Sequence, residues 1–80
     1  MRITIKLFAV MAEHAGRRSI ELQAPSGTAL DQLIAILRQS YPDLPWPPGT
    51  MLAVNQQYAP AMHPLRDGDE VAVIPPVSGG

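Results

Sequence analysis

Residues Arg66–Pro76 read RDGDEVAVIPP, and the choice of fold turns on them. Asp67-Gly68 is a turn signal, because glycine takes positive φ without steric cost. Glu70–Ile74 follows as a strand, and its apolar residues run unbroken from Val71 to Ile74. A strand with one solvated face alternates polar and apolar residues. A continuous apolar run is the pattern of a strand buried on both faces, in the middle of a sheet. Pro75 and Pro76 then stop it, since proline lacks the N–H that ladder pairing needs.

Outward from that strand, RITIKLF at the start of the chain has period two: Ile3, Ile5 and Leu7 face one way, Arg2, Thr4 and Lys6 the other. Phe8 continues it on the polar side. AVMAEHAG forms a short helical turn ending at Gly16, a C′ glycine, and RSIEL brings Ile20 and Leu22 to one face of a second strand. That strand pairs antiparallel with the first, because the link is too short for a parallel crossover. In PSGTALDQLIAILRQSYP, Leu30, Leu33, Ile34 and Leu37 fall at i, i+3, i+4 and i+7, the stripe of a helix. Thr28 is its expected N-cap, and Pro42 ends it near Tyr41. PDLPWPPG is a rigid loop with Trp46 as a lid on the core edge. MLAVN is a strand, NQQ a tight turn with Asn55 in left-handed geometry, and YAPAMHPL an edge strand or irregular link.

Strand, strand, helix, strand, minor strand, strand is an α+β order: a mixed sheet with one main helix on one face, its last strand free to lie parallel to its first. It is the element order of the β-grasp, or ubiquitin-like, fold. The reading places a β-grasp domain at residues 1–74 and an extended, flexible Gly-Gly tail at 75–80.

Composition narrows the function. Eighty residues, 46% hydrophobic and 16% charged, make one small domain able to bury a core. Without cysteine there is no disulfide, thiolate metal site or cysteine nucleophile. A net charge of −1 argues against nucleic-acid binding, which needs a basic surplus. No apolar run is long enough to span a bilayer and no signal-peptide pattern opens the chain, so the expectation is a cytoplasmic domain away from membranes.

The remaining candidate is the tail. Leaving a central strand behind two prolines, six residues reach at most about 20 Å. Gly79 and Gly80 bring no side chain, so they fit a slot that a Cβ would block. A carboxylate is inert to nucleophiles until its oxygen becomes a leaving group. The chain has no phosphate loop of its own, since PSGT lacks the glycine spacing and the lysine of one. Activation therefore falls to another enzyme, most simply through an acyl-adenylate made from ATP, after which the end accepts sulfur or an amine.

LFA near the N-terminus, AVN in mid-chain and above all LRDGDEVAVIPPVSGG, Leu65–Gly80, resemble the MoaD family of ubiquitin-like sulfur carriers, small subunits of molybdopterin synthase. The resemblance implies that Gly80 is adenylated by an E1-like enzyme using ATP and converted to a thiocarboxylate with sulfur from a donor enzyme. The tail, with Gly79 and Ser78 in the slot, then enters the large synthase subunit. There sulfur passes to cyclic pyranopterin monophosphate, in a heterotetramer. It also implies an apolar docking face of Phe8, Leu65, Pro75, Pro76 and Val77, no metal, and no cofactor bound directly. Ile74 stands where many members carry an aromatic residue, and Ala12 where arginine is common. The alternatives are a thiamine-pathway sulfur carrier and a ubiquitin-like protein modifier. On the carrier reading the chain has no acid–base pair or nucleophile–base constellation of its own and serves as a sulfur-donating subunit, with the catalytic groups coming from the partner.

Other polar residues have plainer readings. Asp67, Asp69 and Glu70 belong to a turn, with an acidic docking patch or a metal as alternatives. His14 and His63 lack ligand spacing and sit on the surface, and Lys6, Arg17 and Arg18 are solvated charges unless they meet a phosphate. Phe8 either packs on the core or marks a binding face.

Overall fold

The computed structural model describes residues 1–76. Alternation sets the first strand: β1 (Arg2–Leu7) buries Ile3, Ile5 and Leu7 and leaves Arg2 and Lys6 exposed. Helix α1 (Ala9–Ala15) follows and buries Met11, and Gly16 closes it at φ 72°, where its N–H reaches Ala12 O and Glu13 O. Strand β2 (Ser19–Gln23) returns antiparallel to β1, helix α2 (Leu30–Ser40) crosses the sheet, and β3 (Met51–Val54), β4 (Gln57–Tyr58) and β5 (Glu70–Ile74) complete the order β2-β1-β5-β3-β4. β5 is parallel to β1 and antiparallel to β3. This is the mixed α+β sheet of the β-grasp fold, with β5 at its centre.

The core is one cluster. Leu30, Leu33 and Leu37 of α2 are fully buried with Ile3, Ile5, Val71 and Val73 of the sheet and Met11 of α1. Leu44 and Leu65 fill its margins from the loops, and Trp46 packs against it half-buried, with the Arg38 guanidinium 4.4 Å from its ring centroid.

Two expectations need correction. Thr28 is not the cap of α2. Ala29 holds that position, its N–H donating to Gln32 Oε1 at 2.9 Å, while the buried Thr28 hydroxyl donates to Pro25 O at 2.6 Å. The first N–H groups of α2 find carbonyls instead of a capping hydroxyl: Leu30 donates to His63 O and Asp31 to Ala61 O, both at 2.9 Å. The stretch after β4 is therefore a strap over the helix start. The second correction concerns β5. It is central, but only Val71 and Val73 are fully buried; Glu70, Ala72 and Ile74, on the face away from α2, are half-buried.

The turn chemistry is spent on backbone. Asn55 and Gln56 both take positive φ, 49° and 72°, and close a two-residue hairpin between β3 and β4. The Asn55 side chain accepts from Glu70 N–H at 3.0 Å and donates to Asp69 Oδ1 at 2.9 Å. Asp69 Oδ2 accepts from Arg66 N–H, and Asp67 Oδ1 from Arg2 N–H. These contacts tie the starts of β1 and β5 to the end of β3.

Leu33→Ala should lower unfolding free energy by about 2–5 kcal/mol in a urea titration, a large share of the roughly 4–12 kcal/mol available to a chain this size. Asp69→Ala, which removes the acceptor of the exposed Arg66 N–H and Asn55 amide bonds and leaves them to water, should cost about 1–2 kcal/mol. The exposed Asp43→Ala should stay within about 0.5 kcal/mol of the parent in the same titration.

Candidate functional site

Paired residues in a sheet share a face, so the register sorts the side chains. Ile5 beside Val71, Leu7 beside Val73, and Val73 beside Leu52 lie on the α2 side. Lys6 beside Ala72, Ala72 beside Ala53, Ile74 beside Met51, and Ala53 beside Tyr58 lie on the other, which no helix covers. Phe8 keeps extended backbone, φ −131° and ψ 154°, so alternation carries its ring to the same side as Lys6. The uncovered face thus holds Ala72, Ile74, Met51, Ala53 and Tyr58 with Phe8 at its border, an apolar area at the end of the sheet where β5 finishes. Phe8 is 45% exposed, Met51 47% and Tyr58 67%. Large exposed apolar side chains gathered beside one another mark a surface made to be covered.

The tail root belongs to the same end of the molecule. Pro75 is half-buried and Pro76 exposed. Gly49, at φ 86°, lies so close that a Cβ there would stand 3.5 Å from Pro76 Cβ, so the proline loop flanks the point where the chain leaves β5. Beside Phe8 an open hollow of about 400 Å³ is lined by Lys6, Leu7, Ala9, Ala12, Arg18 and Ser19. Lys6 reaches across the face to Glu70, Nζ to Oε2 3.4 Å.

Of the residues singled out from the sequence, Phe8, Pro75 and Pro76 come together here, and Phe8 belongs to the exposed face instead of the core. Leu65 does not join them: it is 5% exposed and part of the core cluster, because the strap over α2 turns its side chain inward. Val77, Ser78, Gly79 and Gly80 lie outside the described residues. Asp67 and Asp69 accept from backbone N–H groups, and among the described residues no three His, Cys, Asp or Glu side chains converge as a metal site would require. His14 is exposed and His63 half-buried. No helix among the described residues is long and apolar enough to cross a membrane.

Reading the sequence alone misses Met51, Tyr58, Ala72 and Ile74 as surface. The signal was present in MLAV and VAVI, two strands without alternation, but an apolar face waiting for a partner and one buried under a second layer look the same in one dimension.

Comparison with known proteins agrees with this geometry. A molybdopterin synthase sulfur carrier subunit from Escherichia coli (strain K12) is 41% identical over 81 residues, covering 98% of this chain and 99% of that protein. The crystal structure of SAMP1 from Haloferax volcanii superposes with a TM-score of 0.88 at 27% identity over the whole of both chains. Subunit 1 or 2 of a molybdopterin-converting factor from Helicobacter pylori 26695, solved as the complex of the two subunits, matches with a TM-score of 0.73 at 26% identity, again over 100% of both chains. The ThiS family model matches residues 5–80, and the chain belongs to the ThiS family, alongside the MoaD-type sulfur carriers.

Proposed function

We propose that this chain is the sulfur carrier subunit of a molybdopterin synthase. The observation that carries the reading is 41% identity with a curated carrier of that name over 98% of this chain. The Gly80 carboxylate attacks the α-phosphate of ATP on an E1-like enzyme, pyrophosphate leaves, and an acyl-adenylate forms. Sulfide-level sulfur released by a donor then attacks the acyl carbon, a C–S bond forms, the C–O bond to AMP breaks, and AMP leaves to give the thiocarboxylate. The large subunit supplies the acid–base groups for transfer to cyclic pyranopterin monophosphate, and this chain supplies the sulfur and its delivery in the cytoplasm.

The structural reasons lie in what the chain does and lacks. It has no cysteine to carry sulfur on a side chain, so the backbone end is the available carrier. The apolar face of Phe8, Ala72, Ile74, Met51 and Tyr58 borders the tail root, and docking there seats the large subunit around Gly80. The two-subunit complex from Helicobacter pylori supports that partner. Ser78 and Gly79 would thread the slot, with Val77, Pro75 and Pro76 at its mouth. The close likeness to SAMP1, described as a small archaeal modifier protein in a second structure, favours one other reading, a modifier joined to amines of other proteins. The thiamine-pathway alternative has less behind it, because the full-length curated match is a molybdopterin carrier.

Incubated with its activating enzyme, ATP and a sulfur donor, the protein should gain, on intact-mass analysis, the difference between sulfur and oxygen at its C-terminus. A variant with one residue added after Gly80 should fold normally and gain nothing. Persistent absence of the mass change in the parent, or an unchanged gain in the extended variant, contradicts the carrier reading. Conjugates to lysines of other proteins in place of thiocarboxylate would support the modifier.

A further inference from the structure

An activated carboxyl terminus is an electrophile, and nucleophiles on other copies of the same chain can attack it. Lysine amines are the common acceptors. The neutral amine attacks the acyl carbon, a C–N bond forms, the C–O bond to AMP or the C–S bond of a thioester breaks, and an amine proton goes to solvent. A guanidinium holds its proton across the whole working pH range and does not take this path, although it carries the same charge.

The cations of this chain divide unevenly between the two types. Lys6 is the only lysine; Arg2, Arg17, Arg18, Arg38 and Arg66 supply the rest. All five arginines are exposed. They are spread over β1, the α1–β2 turn, α2 and the turn before β5, and each of these five positions carries a guanidinium where an amine would keep the same charge. Lys6 stands on the uncovered sheet face, beside Ala72 of β5, with its ammonium 3.4 Å from Glu70 Oε2. That is the face the carrier reading assigns to the partner, so the single lysine is covered while the tail is engaged. The α-amino group of Met1 donates to Ala24 O at 2.7 Å and is part-buried. With no cysteine either, Lys6 is the one side-chain amine or thiol in the sequence.

We infer that this surface is built to keep the activated terminus from acylating other copies of the chain: charge is carried by arginine, and the one lysine is placed where docking hides it. The inference rests on the carrier reading for its purpose. It separates a donor that must reach its partner unspent from a modifier that forms chains on itself.

The test activates the terminus chemically, so that it does not depend on any activating enzyme. The full-length protein is prepared as a C-terminal α-thioester by intein cleavage and incubated at mildly alkaline pH. Covalent dimers are quantified by intact mass and their linkage mapped by tandem mass spectrometry. Parent protein should give few side-chain-linked dimers, all through Lys6, and Lys6→Arg should remove them. The charge-preserving triple variant Arg17→Lys, Arg18→Lys and Arg66→Lys, checked for unchanged circular dichroism and melting temperature, raises the lysines from one to four and should raise dimer yield about fourfold or more, with linkages at the new lysines. A yield unchanged within about twofold would overturn the inference, as would abundant Lys6-linked dimer in the parent matching the triple variant. Neither result bears on whether Gly80 accepts sulfur, which the intact-mass experiment on the enzyme-activated protein reads separately.

Discussion

β5 is hydrogen-bonded to β1 on one side and to β3 on the other, and the rest of the molecule is arranged around that placement. A parallel neighbour for β1 cannot come from a hairpin; it requires the chain to leave, cross and return, and α2 with its loops makes that crossing. The helix buries Leu30, Leu33 and Leu37 against the inner face of the sheet, which fixes Val71 and Val73 in the core. Once β5 is held between two strands, its final residue is held too. The prolines after Ile74 then start from a strand anchored on both sides, where an edge strand could fray.

The polar residues around the turns serve the same placement. Asn55 follows β3, a dozen residues before the turn that holds Asp67 and Asp69, and together the three side chains bond the backbone at the start of β1, before β5 and at its first residue. Each such bond contributes modestly where water competes, but a loss would leave a donor without its partner at a junction of three strands. Asp67 and Asp69 are thereby accounted for as acceptors of backbone N–H groups, while Glu70 pairs with Lys6. The face left over for a partner is apolar, with the Lys6–Glu70 pair beside it. On the carrier reading, this division makes physical sense: a rigid body docks through an apolar face whose charges, Lys6 and Glu70, are paired with each other, and presents a side-chain-free end to catalytic groups that belong to someone else.

Much of this was legible in the sequence because periodicity records burial directly. The alternation of Ile3, Ile5 and Leu7, the helical stripe of α2, the left-handed Asn55 and Gly16, and the central position of β5 all follow from local pattern. What was not legible depended on contacts across the fold. Thr28 has the side chain of a cap, but the strap at Ala61–His63 already supplies carbonyls to the helix start, so its hydroxyl turns to Pro25. The resemblance put Leu65 on the docking face, yet the same strap aims it into the core. The apolar runs of β3 and β5 did not say whether a second layer or a partner covers their outer face, because one chain's hydrophobicity does not name what it meets. The tail chemistry was reached by elimination and resemblance, and Gly-Gly by itself has no periodicity to read.

The central claim is that β5 stays locked in the sheet up to the point where the tail departs. Native-state hydrogen exchange of the Val71, Ala72 and Val73 amides tests it most directly, since exchange through global unfolding and through local opening respond differently to low denaturant. These amides should exchange with the free energy and denaturant dependence of complete unfolding, matching those of Ile5 in β1. Exchange several orders of magnitude faster, insensitive to denaturant and uncoupled from β1, would mean that β5 opens by itself, and the anchored root described above would not exist.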